Sequence, residues 1–151
     1  MKLAEALNLR ADLQKRIANL KDRLIKNAKV QEGDNPAEEP TVLLKELDSN
    51  ILELENLIKA INKTNSVTYV DNESISDMIA KRDALGLKLS VLRSFVSEAA
   101  DKIERYSNKE IKILSTINVA DKQREVDMLS KEYRLIDTKL QGLNWTTNIV
   151  E

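Results

Sequence analysis

The sequence contains no cysteine and no histidine. Without cysteine there is no disulfide framework, no thiol nucleophile and no structural zinc of the cysteine type. Stability must then come from packing, and the chain reads as cytoplasmic. Without histidine there is no Ser-His-Asp triad, no imidazole base and no histidine-bearing zinc or di-iron site. Catalysis is left to carboxylates, lysine, arginine, serine, threonine or tyrosine. Aromatic residues make up 3%, and there are three glycines and two prolines. That poverty argues against a β-sandwich. The glycines stand alone at 33, 86 and 142, so no Gly-rich phosphate loop exists. Neither sign of charge dominates: 24 bases and 25 acids interleave to a formal net charge of -1. A near-neutral balance supplies no field for nucleic acid or anionic membrane. Charge breaks every apolar run within a few residues, so nothing spans a bilayer. The opening Met1-Lys2-Leu3-Ala4-Glu5 also brings an acid where a signal peptide has its apolar region.

What the chain has instead is charge, at 32%, laid over apolar residues at heptad spacing. The central stretch runs from Ser74 to Tyr106. Its seam is Ile75, Met78, Leu85, Leu89, Leu92, Val96, Ala99, Ile103 and Tyr106, in alternating steps of three and four with one gap filled by Arg82. Such spacing buries one side of a helix against other helices. A second stripe, Ala84, Leu87, Val91 and Phe95, lies on a different side. A helix with two apolar sides sits between partners. Gly86 within it costs about 1 kcal/mol relative to alanine, which close approach of a neighbouring helix explains.

The rest of the chain is organised around that helix. A first helix is predicted over Lys2–Lys29, with the seam Leu3, Ala6, Arg10, Leu13, Ile17, Leu20, Leu24 and Asn27. Its last turns carry Lys21, Arg23, Lys26 and Lys29, which suit a helix C-terminus better than a phosphate site. Gln31–Glu39 is a loop, and Pro40 fits the first position of a second helix. That helix is predicted over Thr41–Asn65 on the seam Leu44, Leu47, Ile51, Leu54, Ile58, Ile61 and Asn65, widened by Leu43 and Leu57. The first two helices should form an antiparallel hairpin. Ser66–Glu73 is rich in β-formers and ends in Asp71-Asn72, a turn signal. Ser74 is placed as an N-cap with Asp77 three residues on. Glu110–Ile117 reads as a short strand or extended crossing segment. Asn118 is placed as the cap of a fourth helix with the seam Val119, Lys122, Val126, Leu129, Tyr133, Ile136, Leu140 and Leu143. The tail from Asn144 should pack over one end. The two β-like segments flank a helix about 50 Å long, and eight extended residues reach about 27 Å. They therefore pair across copies of the chain or form ordered loops. The expected fold is an all-α antiparallel bundle of four long helices, in one domain over residues 1–151, with a short extended segment before the last helix.

Four residues form a candidate polar site. Arg10 and Arg82 sit at seam positions where apolar residues are expected. A guanidinium there must be paired or reach water. It serves either as a register-fixing salt bridge or as a site for a carboxylate or phosphate. Lys122 at its seam position reads as snorkelling. Glu98 and Asp101, with Glu104, are spaced by three. Carboxylates at such spacing hold Mg²⁺ in helical enzymes that cleave nucleoside triphosphates. The second acidic motif those enzymes need is absent, because Glu53 and Glu55 face different ways.

Several segments resemble one family. They are M-K-L-A-E-A-L at 1–7, R-A-D-L-Q-K-R-I at 10–17, N-A-K-V-Q-E-G at 27–33 and I-N-K-T-N at 61–65. Further on come K-L-S-V-L-R at 88–93, R-Y-S-N-K-E-I-K at 105–112, S-T-I-N-V at 115–119 and L-N-W-T-T at 143–147. Together they look like the small bacterial helical proteins labelled septicolysin, which have no established activity. The label implies a cytolytic toxin, and the resemblance assigns no catalytic residue. The polar stretches Arg105–Ser107, Asn62–Asn65 and Asn144–Thr147 are the places to look for a site, as polar clusters at bundle ends. The reading that the residues favour is a non-enzymatic scaffold or partner-binding module that forms a homo-oligomer through its helix faces. It needs no cofactor, no membrane and no nucleic acid. The alternative is an Mg²⁺-dependent hydrolase of nucleotides or related phosphates, with Glu98 and Asp101 on the metal and Arg82 on phosphate.

Overall fold

The structure, a computed structural model, describes residues 1–101 and 111–151. It is all-α, as the heptad pattern predicts: α1 (Leu3–Lys26), α2 (Pro40–Val67), α3 (Ile75–Ala100) and α4 (Val119–Thr146). Between α2 and α3 lies a small hairpin of β1 (Tyr69–Val70) and β2 (Glu73–Ser74). The chain divides into two compact units, Met1–Ile75 with Gly142–Glu151, and Ser76–Gln141.

In the first unit α1 packs on α2. The end of α1 is tied to the start of α2, because Asn27 Oδ1 accepts the Glu38 N–H at 3.0 Å. Two long helices so joined and packed side by side run antiparallel, as expected. The buried residues of α1 are Leu3, Ala4, Ala6, Leu13 and Leu20, all but Ala4 on the predicted seam. In α2 the predicted seam holds in part: Ile61 is buried and Leu47, Leu54 and Ile58 are half-buried, but the buried face extends to the Leu43 side. Leu43, Asn50, Ile61 and Thr64 are buried, whereas Leu44 and Ile51 are 48% and 45% exposed. Both stripes are apolar, so spacing alone could not say which one meets α1. Pro40 stands at the first helical position, as its missing N–H allows.

The two ends of the chain meet in this unit. Leu3 N–H donates to Thr147 O and Ile149 N–H to Met1 O, each at 2.9 Å, around an antiparallel bridge of Lys2 with Asn148. Val150 N–H donates to Thr64 Oγ1 at 2.9 Å, and that hydroxyl donates to Ala60 O. The tail does pack over helix ends, but α4 first continues to Thr146.

The β-like residues after α2 pair locally. Tyr69 faces Ser74 and Val70 faces Glu73 in an antiparallel register. Asp71 and Asn72 between them have φ of 52° and 66°. Two successive left-handed residues make the turn whose twist matches a tight hairpin, and Asp and Asn tolerate that region. Pairing of this segment with another copy is thus not needed to satisfy it. Ser74 is buried immediately before α3, and Asp77 is in its first turn.

In the second unit α3 and α4 run antiparallel. Arg82 meets Asp137, Gly86 meets Tyr133 and Arg93 meets Ser130, so partner numbers fall as α3 advances. Leu89, Val96 and Val126 form the core, with Leu85, Leu92, Val119, Leu129 and Tyr133 against them. The predicted seam of α3 therefore holds as far as it is described. Its last two members, Ile103 and Tyr106, lie outside the described residues. A Cβ at Gly86 would stand 3.1 Å from Tyr133 Cε2, the close approach that the glycine implied. Asn118 Oδ1 accepts the Asp121 N–H at 3.1 Å and caps α4 as predicted. The described part of the segment before α4, residues 111–118, is neither helix nor strand, and Ile111, Ile113 and Leu114 are exposed.

Candidate functional site

The four sequence-predicted residues do not form one site. Arg10 is half-buried on α1, in the first unit, with no hydrogen-bond or ion-pair partner among the described residues. Arg82, in the second unit, is held. Its Nε donates to Asp83 Oδ1 and its Nη1 to Asp137 Oδ1, each at 3.1 Å. Burial alone would lower its pKa, but the hydrogen bonds and charges of Asp83 and Asp137 outweigh it and the pKa is raised. With two carboxylates on it, Arg82 is a tie between α3 and α4, the salt-bridge reading of a seam arginine.

Glu98 and Asp101 are exposed at the end of α3. With Phe95, Ala99 and residues 113–116 they line an open cleft of about 240 Å³. Residue 98 lies 16 positions beyond residue 82, about 24 Å along a straight helix. A phosphate held by Arg82 would thus be out of reach of a metal on Glu98 and Asp101. Among the described residues no group of three or more acids is gathered closely enough to hold a metal. Glu104 and the stretch Arg105–Ser107 lie outside the described residues.

Two further cations singled out in the sequence, Arg23 and Lys122, are paired locally. Arg23 makes a forked contact with Glu38, Nε to Oε1 at 3.1 Å and to Oε2 at 3.0 Å, across the α1–α2 connection. That hydrogen bonding raises the Arg23 pKa and lowers that of Glu38. The basic end of α1 therefore includes one structural clamp. Lys122 donates to Glu125 at 2.7 Å, and the bond holds the Glu125 carboxyl below the usual range. The stem is half-buried and the ammonium is held at the rim by this ion pair, a geometry compatible with snorkelling.

Asn62–Asn65 and Asn144–Thr147 both belong to the first unit. Thr64 is wholly buried and its hydroxyl accepts the Val150 N–H, while Thr147 O accepts the Leu3 N–H. These contacts are structural, and among the described residues only Asn65 Oδ1 remains buried without a partner.

Sequence reasoning missed a polar cleft on α3 and α4. Arg93 Nη2 donates to Ser130 Oγ at 2.8 Å, and Gln123, Asp127 and Arg134 complete a groove of about 430 Å³. No local signal joins residues 93 and 130. Only the antiparallel register brings them together.

The most distinctive surface is apolar. Among the described residues the second stripe of α3 is exposed: Leu87 is 70% exposed, Val91 62% and Phe95 44%. Ile113 and Leu114 reach the same cleft as Phe95. The register that buries Leu85, Leu89, Leu92 and Val96 against α4 leaves this stripe about a third of a turn away. On α2, Leu44, Ile51 and Leu52 are also exposed, with Leu54 and Ile58 beside Ile51.

Residues 10–149 match the family of unknown function DUF6847. The crystal structure of a functionally unknown conserved protein from Corynebacterium diphtheriae is similar over 99% of both chains, with 38% sequence identity and a TM-score of 0.91. No curated protein matches the chain.

Proposed function

The chain belongs to the DUF6847 family of unknown function, and for it we propose a non-enzymatic role as a self-associating helical module. One observation carries the proposal. The outward stripe of α3 presents Leu87, Val91 and Phe95 in consecutive turns, each at least 44% exposed. Single exposed apolar side chains are ordinary, but an aligned apolar stripe on a charged helix marks an interaction face. The hydrolase alternative has weaker support: Arg82 is bound to two aspartates and stands far from Glu98 and Asp101. From the septicolysin resemblance the proposal takes the helical architecture. No helix among the described residues is long and apolar enough to cross a membrane.

The test is sedimentation velocity on the wild type and on Val91→Glu. A charge on the stripe disperses the assembly and leaves helicity unchanged, because Val91 does not contribute to the core. Equal sedimentation of the two proteins, both as single chains, would overturn the proposal.

A further inference from the structure

We propose that self-association pairs α3 with α3 of a second copy of this chain, parallel and in register, with Asp83 of each copy meeting the partner's Lys88. This rests on the self-association reading and adds polarity and register to it.

The heptad on the outward stripe places Ala84 and Val91 at position a and Leu87 at position d. A β-branched residue at a with leucine at d favours two parallel strands. Orientation is then set by the charges beside the seam. Asp83 falls at g and Lys88 at e of the next heptad, five residues later. In a parallel pair these are the positions that face each other across the seam, and each copy supplies both members. The other flanking pair, Ser90 with Phe95, carries no charge. The antiparallel arrangement that sets Leu87 against the partner's Val91 would put Lys88 beside its own copy, which is repulsive. Both side chains can reach a partner. Lys88 is exposed and makes no ion pair among the described residues, although its charge helps hold the Glu125 carboxyl of α4 below the usual range. Asp83 is 62% exposed and uses Oδ1 on Arg82, leaving its second oxygen. The stripe is short. With one leucine, one valine and one alanine per copy in the seam, the pairing is expected to be reversible.

The chain has no cysteine, so single-cysteine variants report directly. In the parallel register Leu87→Cys lies within disulfide reach of its copy, and it should cross-link to itself under oxidation. A mixture of Leu87→Cys and Val91→Cys should give few mixed dimers. Asp83→Lys and Lys88→Asp should each weaken association about fivefold, in line with an exposed charge pair, and the double swap should restore it. Restoration cannot come from the lost Arg82 contact. Efficient mixed cross-links, or weakening without restoration, in a protein that still associates would overturn this geometry and leave self-association standing. A wild type that does not associate at all overturns both.

Discussion

Gly86 and Tyr133 form a contact in which two small effects oppose each other. Alanine at 86 should gain about 1 kcal/mol of helix propensity, but its Cβ would stand 3.1 Å from the Tyr133 ring. That ring packs on the Leu89–Val96–Val126 core, so yielding to the Cβ would disturb its packing there. Gly86→Ala should therefore bring no stability in the wild type. It should add about 1 kcal/mol in a Tyr133→Leu background, a difference that urea denaturation of the four proteins of the cycle reads directly. Thr64 gives a second residue-scale expectation. Its buried hydroxyl is the acceptor for the Val150 N–H. Thr64→Val keeps the volume and orphans that donor, so it should cost about 1–3 kcal/mol by thermal or chemical unfolding. Thr64→Ser should recover most of that loss. The sequence made the Asn118 cap and the close approach at Gly86 legible, because each has a local chemical cause. The partner of Arg82 was not legible. Asp137 is one of several acids at suitable spacing, and only the α3–α4 register selects it.

Among the elements, α2 shows where spacing runs out. It carries two apolar stripes one residue apart. Leu43 is 2% exposed and Leu44 is 48% exposed. Leu43→Ala should cost about 2–5 kcal/mol as a buried truncation, whereas Leu44→Ala should stay within about 0.5 kcal/mol. Equal losses in chemical denaturation would mean that the second stripe is covered as well. The α1–α2 connection adds a pH dependence. Glu38 has its pKa lowered by the Arg23 hydrogen bonds. A carboxylate with a depressed folded pKa stabilises the fold above its unfolded value, about 4.3, and loses that contribution as pH falls through the folded value. The melting temperature of the wild type should exceed that of Glu38→Gln near neutrality, and the gap should close in acid. A gap independent of pH would show that the clamp is not ionic. The hairpin of β1 and β2 was half legible. Its β-formers and its Asp71-Asn72 turn were plain, but strands of two residues are too short for alternation to reveal their pairing.

For the molecule as a whole, composition was the strongest guide. Few aromatics, few glycines and interleaved charge leave long amphipathic helices as the available architecture, and four such helices are present among the described residues. The polar candidates were read one residue at a time, and the fold does not gather them. Arg82 is a tie within the second unit, Glu98 and Asp101 lie far along the same helix, and Arg10 belongs to the first unit. The apolar remainder on α3 was visible as a second stripe, but a single chain could have covered it. Its exposure is what turns that stripe into an interface claim. The most direct test is the solution mass of the wild type, by light scattering coupled to size exclusion at micromolar concentration. Self-association predicts a mass that is a multiple of 17.1 kDa and falls on dilution. A mass of one chain at every concentration would contradict it.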